Sequence, residues 1–267
     1  MQQAVVFDVG RVLFQWQLGA LFEKLIDDPQ ELDWFLANVV TEEWHFEHDR
    51  GRALADMVPE RIALFPQYEA HIRAYATRFN ETVPGPVEGS HELVERLAGR
   101  GVPLFCLTNF GDEFFAAFRP TQPIFDHFAE IIVSGVEKVA KPAPRIYEIV
   151  EQRSGRSGAQ LFFADDNPAN IEAARQRGWT AHLFTDAAGL EAAERRGDMR
   201  LLVGIDPDRA RLDLARHAPG AGVVAGPHAG GQAEGRVVGL LDHVLLVLER
   251  QRHQHRPEDL LLADARA

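Results

Sequence analysis

Cysteine is nearly absent: the 267 residues contain one, Cys106. A lone thiol excludes an intramolecular disulfide and any multi-cysteine zinc or iron–sulfur site. Its place in the apolar run 102–107 marks it as a buried, inert side chain rather than a nucleophile. Lysine is scarce too. Lys24, Lys138 and Lys141 are the only three among 28 basic residues, so each is a position to explain. Excess positive charge is missing altogether, the net charge being −12. Without a basic footprint there is little counterion release to gain, which argues against nucleic acid as a partner. Nor is there a long hydrophobic run. The longest, 237–248, is broken by Asp242 and His243 and falls short of the ~20 residues a membrane span needs. The first residues lack a basic flank and meet Asp8 after a short apolar run, unlike a secretory signal. The expectation is a cytoplasmic protein with no membrane partner.

What is present is ordinary for a globular chain: 46% hydrophobic and 25% charged residues. Five short, largely continuous apolar runs, 4–7, 102–107, 131–133, 161–164 and 180–184, read as strands covered on both faces. Helical patterns separate them. Ser90 offers an N-cap for a helix to Gly99, and Pro168 opens another that Gly178 closes. Alternating strands and helices predict an α/β fold with a Rossmann-like, doubly wound parallel sheet. The interval between the first two strands is far longer than a crossover requires. Its helical patterns at 18–26, 29–40, 53–64 and 67–78 predict an inserted helical-bundle cap whose core holds most of the segment's aromatics. The expected organisation is a core of residues 1–14 and 86–197, a cap of 15–85, and a C-terminal extension of 198–267. The extension combines a Gly, Ala, Pro and His mixture at 217–235 with a helical pattern at 237–252.

In an open parallel sheet, ligands bind at the carboxyl ends of the strands. The residues there are Asp8, Thr108 with Asn109, and Asp165 with Asp166, and Lys141 lies beyond the third run. Three carboxylates this close raise one another's pKa unless a cation and an ammonium compensate. Oxygen donors without His or Cys point to Mg²⁺.

These residues carry a resemblance. Phe7-Asp8-Val9-Gly10, Leu107-Thr108-Asn109, Lys141-Pro142 with Pro144 and Tyr147, and Phe163-Ala164-Asp165-Asp166 resemble, in order and spacing, the four motifs of the haloacid dehalogenase-like (HAD) hydrolases. The likeness covers residues 4–190, and the inserted bundle is similar to the cap of the helical-cap subfamily. It implies Asp8 as nucleophile, forming an aspartyl intermediate, with Thr108 and Lys141 holding the transferring group. It also implies Mg²⁺ bound by Asp8, the Gly10 carbonyl and Asp166, with Asp165 orienting Lys141 or a metal water. Gly10 departs from the family pattern, which places a general acid there, and Arg11 stands where a small residue is usual. In this the sequence resembles a Phe-Asp-x-Gly-x-Val branch.

The favoured reading is a Mg²⁺-dependent phosphatase of a small phosphorylated metabolite with a good leaving group, such as a sugar 1-phosphate. A 2-haloacid dehalogenase using the same Asp8, and a weakly active phosphate-binding homologue, are the alternatives. Arg11, Asn109, Trp44, His48 and Arg50 are candidate substrate contacts. The last three, with His45 and Asp49, are read as a cap turn that either faces the site or packs helix ends.

Overall fold

The structure, a computed structural model, describes residues 3–201; the patterns expected at 217–235 and 237–252 lie outside them. Five strands, β1 (Ala4–Phe7), β2 (Leu104–Thr108), β3 (Glu130–Val133), β4 (Leu161–Asp165) and β5 (Thr180–Leu183), form one parallel sheet in the order β3-β2-β1-β4-β5. Alternation along the strands feeds two cores. Val5, Phe7, Leu104, Cys106, Phe162 and Ala164 point to one. Ala4, Val6, Phe105, Leu107, Leu161 and Phe163 point to the other, which is why the runs are apolar without interruption. The runs end one residue early on β2 and β4. Thr108 pairs with Val133 and Asp165 with Leu183, so these polar residues belong to the ladder.

The insertion comprises α1 (Gly19–Phe22), α2 (Pro29–Asn38), α3 (Glu42–Asp49), α4 (Leu54–Leu64) and α5 (Glu69–Arg78). Asp28 caps α2 by accepting from the Gln30 amide at 2.9 Å, with Pro29 in the first turn. The helix expected at 18–26 is shorter. The segment read as a turn around Trp44 is helical instead: Thr41 caps α3 by accepting from the Trp44 amide at 3.0 Å, and acidic Glu42 and Glu43 favour its positive end. Among the aromatics, Phe22, Phe35 and Trp44 are buried, whereas Trp34 is 44% exposed. The two linkers run side by side, Gln15 N–H donating to Gly85 O at 2.8 Å and Gln17 N–H to Thr82 O at 2.9 Å.

The remaining helices are α6 (Ser90–Gly99), α7 (Asp112–Phe118), α8 (Ser134–Glu137), α9 (Pro144–Ser154), α10 (Pro168–Gln176) and α11 (Ala187–Arg196). Leu93, Val94 and Leu97 of α6 and Leu190 of α11 cover one sheet face; Ile146 and Val150 of α9 with Ile171 of α10 cover the other. Ser90 does not cap α6. Gly89, at φ +75°, precedes the helix, and the Ser90 hydroxyl donates to Val12 O at 2.7 Å, holding the loop after β1. Beyond residue 197, Met199 is buried in the first core and the Arg200 amide donates to Gln3 Oε1 at 2.7 Å. The described chain therefore belongs to this body to its end. No described helix is long and apolar enough to cross a membrane.

Candidate active site

Strand order reverses at β1, and the crevice beyond its carboxyl end is where such sheets bind ligands. Asp8 comes directly after β1, Thr108 ends β2, Asp165 ends β4, and the loop after α8 returns Lys141 to the same edge. Asp8, Lys141 and Asp165 are 7%, 2% and 0% exposed. The Lys141 ammonium lies 2.7 Å from Asp8 Oδ1 and 2.7 Å from Asp165 Oδ2. Asn109 fixes the lysine from behind, its Oδ1 accepting from the Lys141 amide at 2.8 Å and its Nδ2 donating to the Lys141 carbonyl at 3.1 Å.

Asp165 is saturated: besides Lys141 it accepts from the Asn167 amide at 2.8 Å and from Asn170 Nδ2 at 3.0 and 3.1 Å. Asn167 also caps α10 by accepting from the Ala169 amide at 2.9 Å, so the turn carrying Asp166 is held at both ends. Among the described residues, the Thr108 hydroxyl makes only a long 3.4 Å bond, to the Asn109 carbonyl, and is little engaged.

One ammonium faces three carboxyls, so ionising all three would leave two negative charges uncompensated. Burial pushes the Asp8 carboxyl up to about 8, with Asp165 and Asp166 adding and Lys141 opposing. Burial also raises Asp166. Burial works against the Lys141 ammonium, but Asp165 and Asp8 outweigh it and hold its pKa above the usual lysine value. Asp8, Asp165 and Asp166 can each present an oxygen within 4.8 Å of the others. An all-oxygen donor set of three carboxyls fits Mg²⁺. Since both Asp165 oxygens are already bonded, whereas Lys141 and the Val9 amide engage Asp8 through Oδ1, Asp8 Oδ2 and Asp166 are left to serve as ligands, with Gly10 beside them on the cavity wall.

Asp8, Gly10, Asn109, Lys141 and Asp166 form the floor of a cavity of about 440 Å³, room for one small molecule, with Asp165 and Thr108 behind them. Its upper wall is the cap. Glu42, His45, Phe46 and Asp49 line it, the i, i+3, i+4, i+7 face of α3, joined by Trp16, Glu43 and Phe79. Of the expected contacts, Trp44 and His48 fall on the other faces of that helix and Arg50 caps its end, and none of the three lines the cavity. Trp44 is buried against Tyr75 at 4.9 Å between centroids. The His48 ring bonds the Arg52 carbonyl through Nδ1 at 2.8 Å, and Arg50 stacks on Phe46 at 4.3 Å. Arg11 and Asn109 do line the cavity. Arg11 adopts φ +59°, a region costly for a side chain bearing a Cβ, and reaches Glu42 at 3.2 Å across the cavity mouth while lying over Trp16. Gly10, by contrast, is not demanded by space, since a Cβ there would meet nothing nearer than Trp16 at 4.0 Å.

Sequence reasoning missed Trp16, Phe46, Phe79, Phe110 and Asn170. Reading α3 as a helix from its Thr41 cap would have found Phe46; nothing local marks the others, which converge from separate segments.

A family model described as haloacid dehalogenase-like hydrolase matches residues 3–178. A curated relative, the sesquiterpene phosphatase astK of Aspergillus oryzae, is 27% identical over 187 residues, 69% of this chain and 91% of its own length. Among solved structures, a mutant HAD family enzyme of Bacteroides thetaiotaomicron in complex with magnesium and inorganic phosphate matches with a TM-score of 0.56 and 18% identity, over 70% of this chain and 95% of that one. L-2-haloacid dehalogenase of Xanthobacter autotrophicus, with chloropropionic acid covalently bound, matches at 0.53 and 17% over 82% and 100%.

Proposed function

The chain belongs to the haloacid dehalogenase-like hydrolases, and on that premise we propose that it is a Mg²⁺-dependent phosphatase of a small phosphorylated metabolite, acting through an aspartyl-phosphate on Asp8. The observation that carries this reading is the buried Asp8–Lys141–Asp165 cluster with Asp166 beside it. Three carboxyls around one ammonium, fully ionised only with added positive charge, suit a site that holds a divalent cation, whereas halide displacement at carbon calls for none. The astK relative and the magnesium and phosphate complex of the Bacteroides enzyme support the same choice.

In this reading an Asp8 oxygen attacks phosphorus, dividing hydrolysis into two displacements. Lys141, held by Asp165 and Asn109, and the Thr108 hydroxyl hold the phosphoryl oxygens and favour the charge that develops on them. Asp8, Asp166 and the Gly10 carbonyl hold Mg²⁺, which when bound neutralises phosphoryl charge. The aromatic wall of Trp16, Phe46, Phe79 and Phe110 favours an apolar organic group over the expected sugar, in keeping with the relative named for a sesquiterpene.

The experiment compares hydrolysis of an isoprenoid phosphate and a sugar 1-phosphate, with Mg²⁺ and with chelator, by wild type and Asp8→Asn. Expected is metal-dependent phosphate release, faster with the isoprenoid ester and lost in Asp8→Asn. Full activity in chelator or in Asp8→Asn refutes the mechanism, and chloride release from 2-chloropropionate without metal selects the dehalogenase.

A further inference from the structure

The loop after β1 has Gly10 where a second carboxyl would protonate the departing oxygen and activate water, yet the cavity does contain another buried acid. Of the cap carboxyls lining it, Glu42 is exposed and bonded to Arg11, and Glu43 is exposed. Asp49 is buried. It ends a buried chain: the Tyr75 hydroxyl lies 2.8 Å from His45 Nδ1, and His45 Nε2 lies 3.4 Å from Asp49 Oδ2. The imidazole is fixed by stacking on Trp16 at 5.1 Å and on Phe79 at 5.2 Å. Among the described residues, Asp49 Oδ1 has no hydrogen-bond partner. An unsatisfied buried oxygen is costly and calls for an explanation, of which a catalytic role is one.

The charged and titratable groups facing Asp49 are His45 on its own helix, Tyr75 from α5 and Lys141 from the core, with the Gly111 amide before α7. Burial pushes Asp49 up to about 7, against the Gly111 amide and Lys141. Burial, then His48, drives His45 down to about 3, so its ring is neutral near neutral pH and is no donor as an imidazolium. Proton transfer is most effective from a group whose pKa lies near the working pH, which separates the two.

We propose that Asp49 is the proton-transferring residue of this site, a carboxyl supplied by the cap in place of one at Gly10, with His45 and Tyr75 as its positioning residues. The inference rests on the phosphatase reading. As Asp8 attacks phosphorus, the bond from phosphorus to the organic oxygen breaks, and the Asp49 proton moves to that oxygen to release an alcohol. Asp49, now a carboxylate, takes a proton from the water that attacks the phosphoryl group. The bond from phosphorus to Asp8 breaks, leaving inorganic phosphate, free Asp8 and protonated Asp49.

The test is a series of phosphate monoesters of graded leaving-group pKa, with Mg²⁺, on wild type, Asp49→Asn, Tyr75→Phe, and Asp49→Asn with Gly10→Asp. Asp49→Asn is expected to lose about 10² to 10⁴ on alkyl phosphates and far less on 4-nitrophenyl phosphate in pre-steady-state release of the alcohol. It should also lose the alkaline limb of the pH profile for that step. Tyr75→Phe, which keeps the ring, should steepen the same dependence more mildly, and it carries the test if Asp49→Asn does not fold. Gly10→Asp should restore part of the alkyl rate, since the position has room. Equal loss across the series, or an unchanged alkaline limb, overturns the proposal while leaving the phosphatase reading intact. A wild type without phosphatase turnover overturns both.

Discussion

At Lys141, a single ammonium contacts two buried carboxyls, Asp8 and Asp165, and the consequence is measurable. Replacing one partner of a buried ion pair leaves its charge uncompensated at about 3–5 kcal/mol, so Lys141→Met should lower unfolding free energy by that order in denaturant titration. It should also cut turnover about 10² to 10³, as loss of one preorganised stabilising donor does. Asp8 gives a pH prediction. In metal-free protein the folded state retains the Asp8 proton up to about pH 8, while the unfolded chain releases it near 3.8. Between these values the folded state binds more protons, so stability falls as pH rises. Asp49, raised to about 7, acts in the same direction over its lower range. Buried His45, titrating near 3 when folded and 6.5 when unfolded, acts oppositely below 6.5. The window to examine is therefore pH 6.5 to 8. There the thermal midpoint in chelator should decline, and Asp8→Asn or Mg²⁺ should flatten the slope; a midpoint that climbs across the window would contradict the assignment.

Helix α3 has faces with separate duties. Trp44 packs inward on Tyr75 and under Arg61, whereas Phe46, two residues on, borders the cavity. Trp44→Ala should therefore cost about 3–5 kcal/mol of stability with the KM of the remaining folded protein little changed. Phe46→Ala should do the reverse, raising KM for an apolar ester while leaving the unfolding midpoint nearly in place. Paired denaturation and steady-state measurements decide it, and a KM effect confined to Trp44→Ala would mean that the helix is rotated. The turn expected here went wrong because α3 is rich in charge and histidine, with little apolar periodicity, and its cap Thr41 was the overlooked signal.

Across the whole molecule, the far end of the sheet is tied by Gln3. Its amide donates to the Ala159 carbonyl at 2.9 Å and to Thr180 Oγ1 at 3.0 Å, and its oxygen accepts from the Arg200 amide. This joins the start of β1 to β5 and to the segment after α11, at the edge opposite the active site. Gln3→Ala leaves several of these groups unpaired and should cost about 1–3 kcal/mol with kcat and KM unchanged. Altered kinetics would show that the two ends of the sheet are coupled. Lys138 supplies another long-range tie, reaching from the core to the Gly51 carbonyl of the cap at 3.1 Å.

The sheet, its two covered faces and the acids at its carboxyl edge were legible in the sequence because burial on both sides forces uninterrupted apolar runs, and a parallel ladder brings the carboxyl ends of all the runs to one edge. Asp8, Thr108, Asn109, Asp165 and Asp166 were expected at that edge on this ground, with Lys141 beyond the third run, and the structure puts all six there. Only the tertiary structure decided how roles divide within that edge. Asp165 proves saturated by Lys141, Asn167 and Asn170, and the cap offers Phe46 and Asp49 rather than Trp44 and His48. Those outcomes depend on which face of a helix meets a distant strand end. Such a meeting is fixed by packing between segments tens of residues apart, and no local pattern records it.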